Sequence, residues 1–388
     1  MLLSFNAYWD WLSFFLYAFV AYLVAFLIRK GNRLQHLPTA IIVNSLHPKW
    51  ARKSVNQYYC LAFLILVLLG GLRHVDVGAD AGSYYSDLLS ATSLSISWKS
   101  VFKINTMEPF YSITWYLLRK ITTSSVVLFL VTQFFQCYVL IWFFDVFLSE
   151  RDSNIVFLPI LSLFFIKYVY TFAAMRNGLS ETFFLISVIK LKKRSILSAT
   201  IFAIIACGFH YTALVGVMFL FFYGVCNSKF FLRRKKLLVL SIIVVLALTY
   251  LLQEKLGKVI SNTKYGYYDG VRNSFIGQVP YIVCSIIVLS HFKRFLDNGC
   301  SNILFFGSIF SGLLIPIVLS TNGYRLPMYF AYFRIITYLD LIAFYKGSRG
   351  YSIIKKGIGI ASFVWLFYEL LSYSEVARLM PYKLFFQK

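Results

Sequence analysis

The chain has 388 residues, of which 59% are hydrophobic and only 14% charged; soluble domains carry roughly 25% charged residues, so an ordinary soluble enzyme is excluded. Apolar runs recur from end to end, which predicts an all-α, polytopic transmembrane helical bundle, with residues 1–388 as a single integral membrane domain. The net charge of +23 would suggest nucleic acid in a soluble protein. Here the basic residues sit between apolar runs, as membrane topology requires, so nucleic-acid binding is set aside and the excess suits anionic lipids or a lipid-linked phosphate.

Twelve spans are expected, near 10–28, 57–72, 124–147, 154–174, 177–191, 195–209, 211–226, 237–252, 276–291, 302–320, 327–345 and 357–373. The first run has Asp10 before it and Arg29, Lys30 and Arg33 after it, the reverse of a cleavable signal peptide, and reads as a retained first helix. Alternate loops then sort by charge. The set containing 29–56, 148–153, 190–194, 227–236, 292–301 and 346–356 holds 22 of the 38 Lys and Arg, against 14 in the other set. The richer set is expected to be cytoplasmic. That places the two largest outer loops near 73–123 and 253–275. Within the first, Glu108 and Pro109 precede FYSITWYLL, an aromatic run too short to span, read as a short interfacial or re-entrant helix. The six cysteines form no close pair, so disulfides and a cysteine metal site are not expected.

Polar chemistry concentrates on the outer side. The stretch GGLRHVDVGADAGSYYSDLL (70–89) packs Arg73, His74, Asp76, Asp80 and Asp87 among glycines and tyrosines. Spans 177–191 and 195–209 are short, ~22 Å each against a hydrocarbon layer of ~30 Å. Their outer ends, which carry Arg176 and His210, are therefore expected below the outer lipid surface. Ionisable groups cost about 2.5–3.5 kcal/mol at mid-membrane on insertion scales, which makes them functional candidates. Arg176 also reads as a snorkelling anchor, His210 as a satisfied turn histidine, and Arg325, in TNGYRLP, as a plain loop arginine. Glu181 reads as the structural partner of an internal cation, and Lys167 and Arg334 as paired or snorkelling groups.

Arginine forks match two phosphate oxygens at once, and tyrosines (Tyr84, Tyr85, Tyr265, Tyr267, Tyr268) offer faces for a sugar ring or for the membrane interface. There is no P-loop, HExxH, GxSxG or paired-cysteine motif. Asp76 and Asp80 alone are weak grounds for a divalent ion.

The chain resembles the Wzy-type O-antigen polymerases and the related EpsG-like polysaccharide polymerases. The resemblance is carried in order by LRHVDVGADAGSYYSDL (72–88), Glu108-Pro109, MRNGLSETFFL (175–185), FHYTALV (209–215), GYRLPMYF (323–330) and MPYKLFF (380–386). It implies a glycosyltransferase of the bacterial inner membrane, facing the periplasm, whose donor and acceptor are oligosaccharide repeat units on undecaprenyl pyrophosphate. No nucleotide sugar, cofactor or obligatory metal is then required. Membrane lipids are partners, and a chain-length regulator would be a further one, although no docking motif is visible. On this reading Arg73, Arg176 and Arg325 are expected to hold pyrophosphate, with Tyr84, Tyr85 and Tyr267 against sugar. His210 is expected to transfer the proton or bind the leaving group, with Asp80 or Glu108 as the rival base. Two other classes stay open: another lipid-linked-sugar transferase such as an O-antigen ligase, and a flippase or transporter of lipid-linked oligosaccharide.

Overall fold

The computed structural model describes residues 8–35, 48–92, 108–152, 154–228, 275–297, 302–320 and 325–387, with isolated positions between 230 and 251. Among these residues the regular structure is helical, with one isolated antiparallel bridge between Arg73 and Leu384. The span expected at 237–252 and the loop at 253–275 lie largely outside the described residues.

The helices follow the apolar runs. In order they are α1 (Tyr8–Gln35), α2 (Pro48–Gly71), α3 (Ala81–Ser90), α4 (Pro109–Ile121), α5 (Ser125–Leu148), α6 (Leu158–Leu161), α7 (Phe164–Ala173), α8 (Met175–Lys192), α9 (Ile196–Phe209), α10 (Leu214–Cys226), α11 (Phe275–Ser290), α12 (Phe292–Asp297), α13 (Asn302–Leu313), α14 (Ile315–Ser320), α15 (Ala331–Phe344) and α16 (Tyr351–Val376). α4 is the short aromatic helix expected after Glu108-Pro109, with proline at its first position, where its missing N–H costs nothing. α3 is new. It lies in a polar loop, and its Ala81, Tyr84 and Leu88 are buried at i, i+3, i+7 spacing, so one face packs while the other stays wet.

Among the described residues two segments, Asp10–Leu34 and Ser125–Leu148, are long and apolar enough to cross a membrane. Six shorter apolar segments follow the same composition, from Gln57–Gly71 to Ile303–Leu319. The predicted run 154–174 is broken at Ser162–Leu163, and Ala174, at φ −126° and ψ 59°, separates α7 from α8. Large apolar side chains also stand exposed, with Phe15 and Phe19 on α1 and Ile353, Ile360 and Val364 on α16. Stripes of that size need an apolar surround, and a membrane protein finds it in lipid.

Packing divides the chain into two compact units. The first takes Met1–Leu94, Ser112–Leu185 and Leu339–Lys388. In it α1 packs on α2, α2 on α5, and α16 on α6. Asn32 Nδ2 donates to the Leu148 carbonyl at 2.8 Å. Arg151 grips Asp340 with two hydrogen bonds of 2.7 and 2.8 Å, and Lys346 meets Asp152 at 2.5 Å. The second unit takes Ser95–Tyr111 and Ile186–Tyr338. There α9 packs on α10, α10 on α13 and α11 on α13, around a cluster of Phe219, Phe310, Phe330 and Phe333.

Candidate functional site

The second unit brings together residues that the sequence offered separately. α9 ends at Phe209, and His210 leaves it in extended conformation before the single 3-10 turn Tyr211–Ala213. Its backbone stays satisfied: its N–H donates to the Ala206 carbonyl and its own carbonyl accepts from Ala213 N–H. The imidazole is thus fixed at a corner between two helices. It is buried and its Nδ1 lies 2.9 Å from Oε1 of Glu108, which is wholly buried. A carboxylate on Nδ1 favours the tautomer with the proton there and the lone pair on Nε2. The approach depends on a glycine, because a Cβ at Gly208 would stand 2.2 Å from the Phe110 ring, two residues from Glu108.

The arginine turn joins the same unit. Thr212, two residues after His210, shares a 3.0 Å hydrogen bond with Tyr329, four residues after Arg325. Tyr329 is buried in the 3-10 turn Pro327–Phe330, whereas Arg325 is half-buried. Thr212 and Tyr329 were not singled out from sequence. Their signal was position alone, inside the two motifs that carry His210 and Arg325.

The first unit holds the other predicted residues. Arg73 follows α2 and is completely buried. Its Nε donates to the Val77 carbonyl at 3.3 Å, its Nη1 to the Gly70 carbonyl, and its guanidinium rests over the rings of Phe129 and Phe172 at 4.1 and 4.6 Å. Burial pulls its pKa down to about 10, and the neighbouring tyrosines Tyr168, Tyr382 and Tyr17 oppose that shift. The C-terminal segment closes over this arginine. His74 N–H donates to Lys383, Gly78 to Arg378, Ala79 to Ala377 and, in return, Phe385 to Leu72. Tyr382 adds a bond from its hydroxyl to the Leu69 carbonyl at 2.7 Å, and burial pushes its phenol up to about 12. Gly78 has φ +110°, and a Cβ there would stand 2.4 Å from the Phe172 carbonyl oxygen, so only glycine fits.

Asp80 caps α3 by position without a side-chain cap bond and is exposed. Tyr84 is buried and Tyr85 half-buried. The Tyr84 carbonyl accepts from Trp115 Nε1 at 2.8 Å, and the Arg176 guanidinium lies 6.0 Å from the Tyr84 ring centre. Arg176 itself is half-buried in the first turn of α8. The internal cation beside Glu181 is Lys167, at 2.6 Å, and Asn177 also donates to that carboxylate. Arg334 stacks on Tyr281 at 3.7 Å in the second unit. Tyr265, Tyr267 and Tyr268 lie outside the described residues.

The described candidate residues of both units fall inside one match: the family model described as the EpsG family covers residues 56–384. The chain belongs to the EpsG family. That family comprises polysaccharide polymerase-like membrane proteins, in agreement with the apolar helices. No curated protein and no solved structure matches the chain. In this EpsG-family protein the match begins within α2 and ends within the C-terminal segment, so it takes in the Arg73 loop and the Glu108–His210 pair alike. Among the described residues no group of three or more His, Cys, Asp or Glu is placed to hold a metal ion.

Proposed function

We propose that this protein polymerises polysaccharide at the periplasmic face of the bacterial inner membrane. It would transfer a growing chain from undecaprenyl pyrophosphate to the non-reducing end of a second lipid-linked repeat unit. The Glu108–His210 pair carries the reading. The acceptor hydroxyl attacks the anomeric carbon as the bond to the pyrophosphate oxygen breaks. Its proton passes to His210 Nε2, and Glu108 holds Nδ1–H and balances the imidazolium that forms. The leaving pyrophosphate gains negative charge, which Arg325, tied to the His210 corner through Tyr329 and Thr212, is suited to stabilise.

Both lipid-linked reactants carry a pyrophosphate. Arg176, half-buried near Tyr84, is the proposed phosphate ligand of the first unit. Arg73, sealed under its loop, acts on substrate through the loop that it holds, which presents Asp80 and, half-buried on α3, Tyr85. Tyr267 remains a proposed sugar contact from the second large loop. The chemistry draws on no nucleotide sugar.

The twelve-span topology belongs to the same proposal. Side-chain and backbone contacts join loops that charge sorting put on one side: Asn32 with Leu148 and Asp152 with Lys346 on the basic side, His74 with Lys383 and Glu108 with His210 on the other. That agreement supports the sorting.

A transporter of lipid-linked sugars is the second reading, favoured by the buried Gln133, Gln136, Lys167, Asn177 and Glu181 inside the first unit. The experiment is a reaction of the purified protein in detergent with lipid-linked repeat units. A ladder of lengthened products is expected, and its absence with active substrate and folded protein would overturn the transferase reading. In cells with lipopolysaccharide, loss of the protein should leave core with one repeat unit; a bare core would point to a ligase or flippase.

A further inference from the structure

Two buried amides in the first unit lack the partners that an apolar interior demands. Gln133 and Gln136 stand three residues apart on one face of α5, both at 6% exposure or less. Gln133 Nε2 reaches Thr171 Oγ1 at 3.5 Å, but its Oε1 has no hydrogen-bond partner among the described residues, and neither Oε1 nor Nε2 of Gln136 has one. Buried polar groups in native proteins are bonded to protein or to ordered water, and hydrocarbon gives them no alternative.

Small residues bring other helices onto these amides. A Cβ at Gly70 on α2 would stand 2.8 Å from Gln133 Cδ and 2.7 Å from the Tyr168 hydroxyl. A Cβ at Gly178 on α8 would stand 3.1 Å from Gln136 Nε2 and 2.9 Å from Thr171 Cβ. α2, α5, α7 and α8 therefore converge on one polar spot. Its ligand must accept from an amide N–H and donate to two amide oxygens, which a bare ion cannot do. A cation is further disfavoured by Lys167, one turn from Thr171 on α7, and by Arg73, bonded to the Gly70 carbonyl. Water meets every requirement with two to four polar partners in reach.

We propose that Gln133 and Gln136 hold internal water between α2, α5, α7 and α8. The site lies against the first turn of α8, so it helps seat the segment that carries Arg176. The inference does not depend on the transferase reading.

The test is X-ray radiolytic hydroxyl labelling of the full-length protein in detergent, read by mass spectrometry. Radicals arise from bound water in place, so a buried ring labels when water touches it. Tyr168 is expected to label faster than Phe143, Phe144 and Phe147, which are equally buried farther along α5. The excess should be lost in a Gln133→Leu/Gln136→Leu variant. Should that variant fail to accumulate, Gln136→Met, which keeps side-chain length, should lower the Tyr168 signal. The proposal is overturned if Tyr168 labels no faster than the three phenylalanines, or if its labelling persists unchanged in the variants.

Discussion

Glu108 and His210 are separated by 102 positions in the chain and meet at 2.9 Å in the interior of the second unit. Each was a candidate base by itself; in the proposed mechanism the two act as one proton-handling device. Glu108→Gln and His210→Gln each keep hydrogen-bonding capacity and overall shape, yet each should slow polymer formation by about 10²- to 10⁴-fold. Because the two act as a unit, the double variant should be no slower than the worse single variant. Product length and rate on gels measure this, and additive losses would mean that the two side chains work separately.

The forked shape of arginine gives a second expectation. Arg176→Lys should fail nearly as badly as Arg176→Ala, since lysine keeps the charge and loses the two-point grip. Normal polymer from the lysine variant, at equal protein level, would reduce Arg176 to an interface anchor.

Steric room at Gly208 is the third. An alanine there drives Phe110 away and with it the start of α4, which Glu108 immediately precedes. Gly208→Ala should cost about 1–3 kcal/mol in stability and most of the activity, while the protein still inserts. Gly224→Ala, on α10 with nothing within 4 Å of the added methyl, is the matched control and should behave as the parent. Equal activity in the two variants would show that the Glu108 approach tolerates displacement.

Topology can be read by thiol labelling. Ser86 on α3 and Ser348 before α16 are both exposed. As single cysteines in a cysteine-free background, Ser86→Cys should react with an impermeant reagent in outer-permeabilised cells and Ser348→Cys should not. The opposite pattern would invert the proposed orientation.

Much of this was legible in the amino-acid order, and the reasons are local. Apolar periodicity marked most helices within a few residues, and the proline after Glu108 marked the start of α4. The helix at 81–90 was missed because its loop is rich in polar residues and its buried face has only three members. Partner choice was hidden for a different reason. Nothing local distinguishes Lys167 as the cation for Glu181, or Glu108 as the companion of His210, since tertiary packing decides both. Burial of Arg73 was equally invisible. It depends on Phe129 and Phe172 from other helices and on a C-terminal segment more than three hundred residues away.

That last dependence has a consequence for how the protein is made. Four backbone bonds tie Leu72, His74, Gly78 and Ala79 to residues 377–385, so in the proposed topology a loop synthesised early stays open until that segment has been made and translocated. Until then Arg73 lacks the C-terminal part of its cover, and the first unit is complete only once that segment has docked. A chain ending at Val376 should therefore insert its helices yet leave the 72–79 loop open to protease from the periplasmic side, where the full-length protein resists. Equal resistance in both would show that the loop closes without its C-terminal partner.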